Sequence, residues 1–152
     1  MKQSLPNRVR GWTRVGAVAL VLALPSFAQS TKLSSPLALD PGSLGGDVER
    51  ASFTPDGSRV LYLADQDAVG VRDLYSVPAD GSASAVRLSA SLTADPSKDV
   101  GRYQVGADGA RVVFSTNSRG PLHSAPVDGS APSVLLASSV SDFWITPDAS
   151  SV

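Results

Sequence analysis

Three carboxylates, Asp65, Asp67 and Asp73, come nearest in this chain to residues whose type and spacing do chemistry. Asp65-Gln66-Asp67-Ala68-Val69-Gly70 follows the opening of an Asp-x-Asp-x-Asp-Gly calcium loop. In such a loop alternating carboxylates converge on a hard cation, and glycine allows the sharp turn. Two parts of the pattern are missing. Val69 takes the third acidic position, and Ser76 takes the twelfth, where a bidentate Glu belongs. Asp73 is available from the far side of the loop. The expectation is weak calcium binding at Asp65, Asp67 and Asp73. The competing reading is a solvated hairpin loop whose aspartates cap turns.

Catalytic constellations are harder to assemble. His123 is the sole histidine, so a multi-His metal site is excluded and a His general base has one candidate. Its place in a β-rich run reads as a strand aromatic replaced by imidazole. No Gly-x-Ser-x-Gly segment presents a serine nucleophile. The absence of cysteine excludes disulfides, thiolate zinc sites, Cys nucleophiles and a lipid-modified Cys after a leader. The expectation is a chain with no catalytic residues and no required cofactor.

The body of the chain is built to make turns and strands. Asp, Gly, Pro and Ser are abundant and favour turns over helix interiors. Glu49 is the only Glu. Lys2, Arg8, Arg10 and Arg14 lie in the first 14 residues; without them, nine basic residues face 14 acidic ones. An acidic body with dispersed basic residues argues against a nucleic-acid partner, since phosphate binding needs a basic surface.

The first residues read as an address. A basic stretch to Arg14 precedes the apolar run Val15–Leu24, and Pro25 breaks any helix. Ser26-Phe27-Ala28 then offers small residues for cleavage before Gln29. This is the pattern of a secretory signal peptide over 1–28. The run is about half of the roughly 20 apolar residues that a membrane span needs. Cleavage leaves no stable span, and a periplasmic or secreted location follows. Residues 29–46, rich in Ser, Pro and Gly, read as a linker or irregular lead-in.

From Asp47 onward the sequence repeats. Phe53-Thr54-Pro55-Asp56-Gly57-Ser58-Arg59-Val60-Leu61-Tyr62 is echoed by Val105-Gly106-Ala107-Asp108-Gly109-Ala110-Arg111-Val112-Val113-Phe114. A third copy begins at Ile145-Thr146-Pro147-Asp148. A second marker follows each of the first two: Leu74-Tyr75-Ser76-Val77-Pro78-Ala79-Asp80-Gly81, then Leu122-His123-Ser124-Ala125-Pro126-Val127-Asp128-Gly129. Asp56 to Asp108 spans 52 residues and Asp108 to Asp148 spans 40. Those spacings bracket the ~40–50 residues of a four-stranded propeller blade. Arg59–Leu63 and Leu74–Val77 read as strands, with Leu88, Val134 and Leu136 marking outer strands. Asp-Gly pairs supply the hairpin turns, because glycine accepts positive φ and aspartate bonds the backbone two residues on. Ser91–Arg102 reads as an extra loop. Tyr62, Tyr75 and Phe114 fit buried positions, and Trp144 sits on an inner-type strand, where core packing is expected.

These two ordered markers resemble the blade motif of the TolB-like, WD40-like β-propeller repeat family of exported bacterial proteins. The resemblance covers 47–152. It implies an all-β fold: a partial β-propeller of four-stranded antiparallel blades, about two and a half of them, after the signal peptide. Because propellers close with about four to eight blades, the reading is a fragment truncated at the C-terminus, a chain that completes its ring by self-association, or a decayed remnant; the first is preferred. The functional expectation is a non-catalytic exported scaffold that binds an envelope or extracellular protein. Two alternatives stand beside it. One is the N-terminal part of a propeller-bearing exported hydrolase, serine peptidase-like, without its catalytic domain. The other is a weak calcium-binding extracellular repeat domain.

Overall fold

The computed structural model describes residues 32–37, 47–92 and 99–147. The stretch read as a signal peptide at 1–28, most of the expected lead-in over 29–46 and the third repeat from Asp148 onward lie outside the described residues. Among the described residues the chain is all-β. No helix is present among these residues, so none of them forms one long and apolar enough to cross a membrane.

Eight strands form two four-stranded antiparallel sheets, each a simple meander. The first contains β1 (Val48–Phe53), β2 (Arg59–Ala64), β3 (Asp73–Pro78) and β4 (Val86–Arg87) in chain order. The second contains β5 (Val100–Val105), β6 (Arg111–Thr116), β7 (Leu122–Pro126) and β8 (Val134–Ala137). Four Asp-Gly turns hold one end of the sheets. Gly57 and Gly109 lie at φ +70° and +69°, a conformation that only glycine adopts without strain. Their amides donate to the carbonyls of Thr54 (2.8 Å) and Gly106 (2.9 Å). Asp56, Asp80, Asp108 and Asp128 each accept through Oδ1 from the amide two residues on, at 2.9–3.1 Å.

The second sheet is a copy of the first in register as well as in order. Arg59 pairs with Pro78 as Arg111 pairs with Pro126, and Ser76 pairs with Val86 as Ser124 pairs with Val134. The bulge between Val48 and Arg50 recurs between Val100 and Arg102. Even a cross-strand side-chain bond is repeated: Arg59 Nε donates to Ser76 Oγ at 2.8 Å, and Arg111 Nε to Ser124 Oγ at 2.9 Å. The copies differ most in the connection from second to third strand, which is shorter in the second sheet. Asn117 there adopts φ +55°. Gly120 lies so close to Thr116 that a Cβ would sit 1.7 Å from the Thr116 carbonyl oxygen.

Strand alternation sends one face of each sheet toward the other. Leu61, Leu63, Leu74 and Leu88 of the first sheet share one core with Val100, Tyr103, Val112, Phe114, Ala125 and Val127 of the second. Tyr103 ties the sheets together, its hydroxyl donating to the Leu61 carbonyl (3.1 Å) and meeting Ser52 Oγ (2.9 Å). On the far side of the first sheet, Val60, Tyr62, Ala64, Tyr75 and Val77 form a second core, with Leu33 and Leu37 packed on it. Residues 32–37, the described part of the stretch read as a linker or lead-in, thus cover a sheet face.

Two local expectations are corrected. Val100–Arg102 belong to β5, so the loop expected over Ser91–Arg102 is shorter at its end. Trp144 is not core; it is 68% exposed. Phe143 is the buried residue there, packed with Val113 and Leu122.

Candidate binding face

The Asp-Gly turns occupy one end of the sheets, and at the other end the backbone is longer and less regular. There the 65–72 connection of the first sheet, the 117–121 connection of the second and the 138–144 segment leading into the third repeat come together. A cleft of about 620 Å³ opens between them, lined by Arg72, Gly101, Arg102, Asn117, Asp142 and Phe143 among others.

Two arginines organise this end. Arg72 NH1 donates to Glu49 Oε2 (2.7 Å) and its Nε to Asp99 Oδ2 (3.2 Å). The Arg72 amide also donates to Asp99 Oδ1 (2.9 Å), so one aspartate holds both backbone and side chain. The Arg72 carbonyl accepts from the Val100 amide (2.9 Å), which anchors the start of β5. Arg102 pairs with Asp142 and donates to the Phe143 carbonyl (2.8 Å). Its guanidinium lies 4.9 Å from the Phe143 ring centroid and 5.5 Å from that of Trp144. Trp144 therefore stands out from the surface with a cation on its face, an arrangement that favours stacking.

The contacts at Arg102 repeat those one sheet earlier. Arg50 lies over Tyr103 at 5.6 Å as Arg102 lies over Phe143. The Val100 amide donates to Arg72 as the Val140 amide donates to Gly120 (3.0 Å). Ser52 meets Tyr103 from β1, and Gln104 Oε1 accepts from the Ile145 amide (3.3 Å) from the matching position of β5. The third repeat thus starts against the second sheet in the manner in which the second sheet rests on the first.

The calcium candidates are brought only partly together. Arg87 NH1 lies between Asp67 Oδ2 (3.1 Å) and Asp73 Oδ2 (3.3 Å) and supplies the positive charge there. Asp73 Oδ1 accepts from Ser89 Oγ (2.5 Å). Burial nonetheless raises the Asp73 carboxyl above its ordinary range, against the lowering influence of Ser89 and Arg87. Asp65 turns elsewhere, accepting from the amides of Asp47 (2.5 Å) and Gly70 (3.3 Å). Among the described residues no group of three or more His, Cys, Asp or Glu is placed to hold a metal ion. The Asp65–Gly70 bond is the turn cap of the competing reading.

His123 occupies the position of Tyr75. Tyr62 and Tyr75 stack at 5.3 Å, and at the matching positions Phe114 and His123 stack at 5.5 Å. Neither ring nitrogen of His123 has a hydrogen-bond partner, and burial lowers its pKa. No serine or carboxylate is bonded to the ring, so the imidazole fills space as an aromatic.

Comparison of the chain with protein-family models, with curated proteins and with solved structures finds no match to any of them.

Sequence reasoning singled out neither arginine of this face. A usable signal existed: Arg50 and Arg102 stand 52 residues apart, the spacing of the Asp-Gly turns, so both belong to the repeat. Arg72 carries no such signal, because it lies in the connection whose length differs between copies.

Proposed function

We propose that the two sheets are blades of a β-propeller and that the protein is a non-catalytic scaffold. In this reading it is exported to the periplasm or beyond the cell and binds an envelope or extracellular protein. The observation that carries it is the repeated docking of sheet on sheet: Tyr103 against Leu61, then Phe143 against Val113, with the Val100 and Val140 amides bonded alike. A stack that advances by one recurring step builds a rigid body, and rigid bodies present loops for binding. The face at the Arg72–Arg102 end suits this role. It exposes an aromatic beside an arginine, the residue types that dominate protein–protein hot spots.

The test is photocrosslinking of the full chain in its producing cell, from a photoreactive side chain at position 144, with Ser84 at the opposite end as control. One envelope or extracellular protein crosslinked from 144 and not from 84 is expected. The purified pair should then bind directly, with Trp144→Ala weakening the complex at least ~10-fold and leaving the melting temperature unchanged. A partner bound equally well by native protein and Trp144→Ala refutes the assignment of this face.

A further inference from the structure

The outer edges of the two sheets are protected differently. An edge strand carries a row of unpaired amides and carbonyls, and proteins guard such edges with charge, brevity or cover. β4 has two residues, and Arg87 on it is held by Asp67 and Asp73. β8 is twice as long, and at the position matching Arg87 it carries Leu135. Val134, Leu135 and Leu136 are 56%, 55% and 47% exposed, three large aliphatics in succession on an open edge. In the first sheet Leu88, bonded to Leu74, is buried in the inter-sheet core, whereas a register shift in the second sets Ala137 opposite Leu122 and leaves Leu136 exposed.

Charge says which occupant this edge admits. From Ser130 to Ser141 the chain has no charged residue. A strand of this kind offers nothing to steer a charged partner and nothing to repel a copy of itself. Antiparallel pairing across a two-fold axis is self-complementary, since each residue's contact is returned by its counterpart.

We propose that β8 pairs antiparallel with β8 of a second copy, joining two four-stranded sheets into one eight-stranded sheet. The pairing satisfies the free edge groups of both copies and covers Leu135 and its neighbours. A groove of about 420 Å³ lies beside the strand, lined by Val86, Leu88, Ala131 and Pro132 together with Arg87, whose charge is taken up by Asp67 and Asp73. Four residues per copy bury less than the ~1,200–2,000 Å² of standard stable interfaces, so the dimer is reversible and concentration-dependent. The inference rests on the topology, exposure and charge of β8 and stands apart from the scaffold reading, which concerns the loop end of the sheets at Arg72 and Arg102.

Sedimentation velocity of the full chain over a wide concentration series, with single-cysteine crosslinking, tests it. The chain has no native cysteine, so each introduced thiol reports one position. In antiparallel pairs opposite Cα atoms lie about 4.5–5.5 Å apart, within disulfide reach. A residue on the two-fold faces its own counterpart. One of Val134→Cys, Leu135→Cys or Leu136→Cys is therefore expected to form a covalent dimer on mild oxidation, and Val86→Cys is not. Leu135→Arg, which restores the guard of the first sheet, is expected to weaken association at least ~10-fold by opposing like charges. The crosslinks keep the proposal testable if that variant misfolds. A monomer at every concentration overturns it. So does an association that Leu135→Arg leaves unchanged, or an edge that pairs only with a foreign extended peptide.

Discussion

Replacing Tyr103 by Phe removes one oxygen atom at the junction of the two sheets and leaves the buried ring in place. That oxygen donates to the Leu61 carbonyl at 3.1 Å and meets Ser52 Oγ at 2.9 Å, 42 and 51 residues away in sequence. Both partners belong to the first sheet. A net intramolecular hydrogen bond is worth about 0.5–1.5 kcal/mol, and two are lost; relaxation of Ser52, which is half-buried, recovers part of the second. The expected loss is about 1–2 kcal/mol. In domains of roughly 60–100 residues each kcal/mol moves the melting temperature by about 4–8 °C, so a fall of roughly 4–16 °C is expected. Thermal melts and urea titrations of native protein, Tyr103→Phe, Ser52→Ala and the double variant give a complete cycle. Contacting residues should show a coupling of at least about 0.5 kcal/mol. The urea slope should stay constant, since the same surface is exposed on unfolding. A Tyr103→Phe protein that melts with the native chain, or additive single effects, refutes sheet-to-sheet docking through this residue.

Other expectations follow from single sites. His123 is lowered by burial, so the folded state resists taking a proton that the unfolded state accepts below its ordinary pKa of about 6.5; stability is full above that pH and falls as pH drops through it, and His123→Phe should flatten this part of a stability–pH curve. Hydrogen bonds from Thr54 and Ser58 lower the Asp56 pKa to about 2, so the turn keeps its ionised cap until the pH falls through the acid range toward that value; Asp56→Asn should remove this dependence from acid titrations. Gly120→Ala should destabilise far more than Gly57→Ala in paired melts, because its Cβ would meet the Thr116 carbonyl at 1.7 Å whereas Gly57 has open space and only its φ of +70° to lose. With Arg87 between Asp67 and Asp73, melting curves in calcium and in chelator should coincide; a rise with calcium would support the metal reading.

The parts of this fold that were legible in sequence are those written by local chemistry. Each Asp-Gly pair announces its turn because the aspartate caps and the glycine bends within a few residues, whatever the rest of the chain does. The runs Arg59–Leu63 and Leu74–Val77 are strands by composition, and the turns fix their register. The face built from Arg72, Arg102 and Trp144 depends on a different kind of information. Trp144 looks like a core residue on composition, and only its register relative to Phe143 turns it outward; that register is set by contact with the second sheet, not by its own neighbours. The aspartates at 65, 67 and 73 depend on the same kind of information. Their spacing describes a cation site, but the charge between two of them comes from Arg87, which β4 brings back to the edge of β3. Sequence spacing states which groups are near along the chain, whereas the meander decides which group fills the space between them. The exposed β8 edge is visible only when both kinds of information are combined: the repeat gives the position equivalent to Arg87, and the sheet shows that the residue found there, Leu135, has been left uncovered.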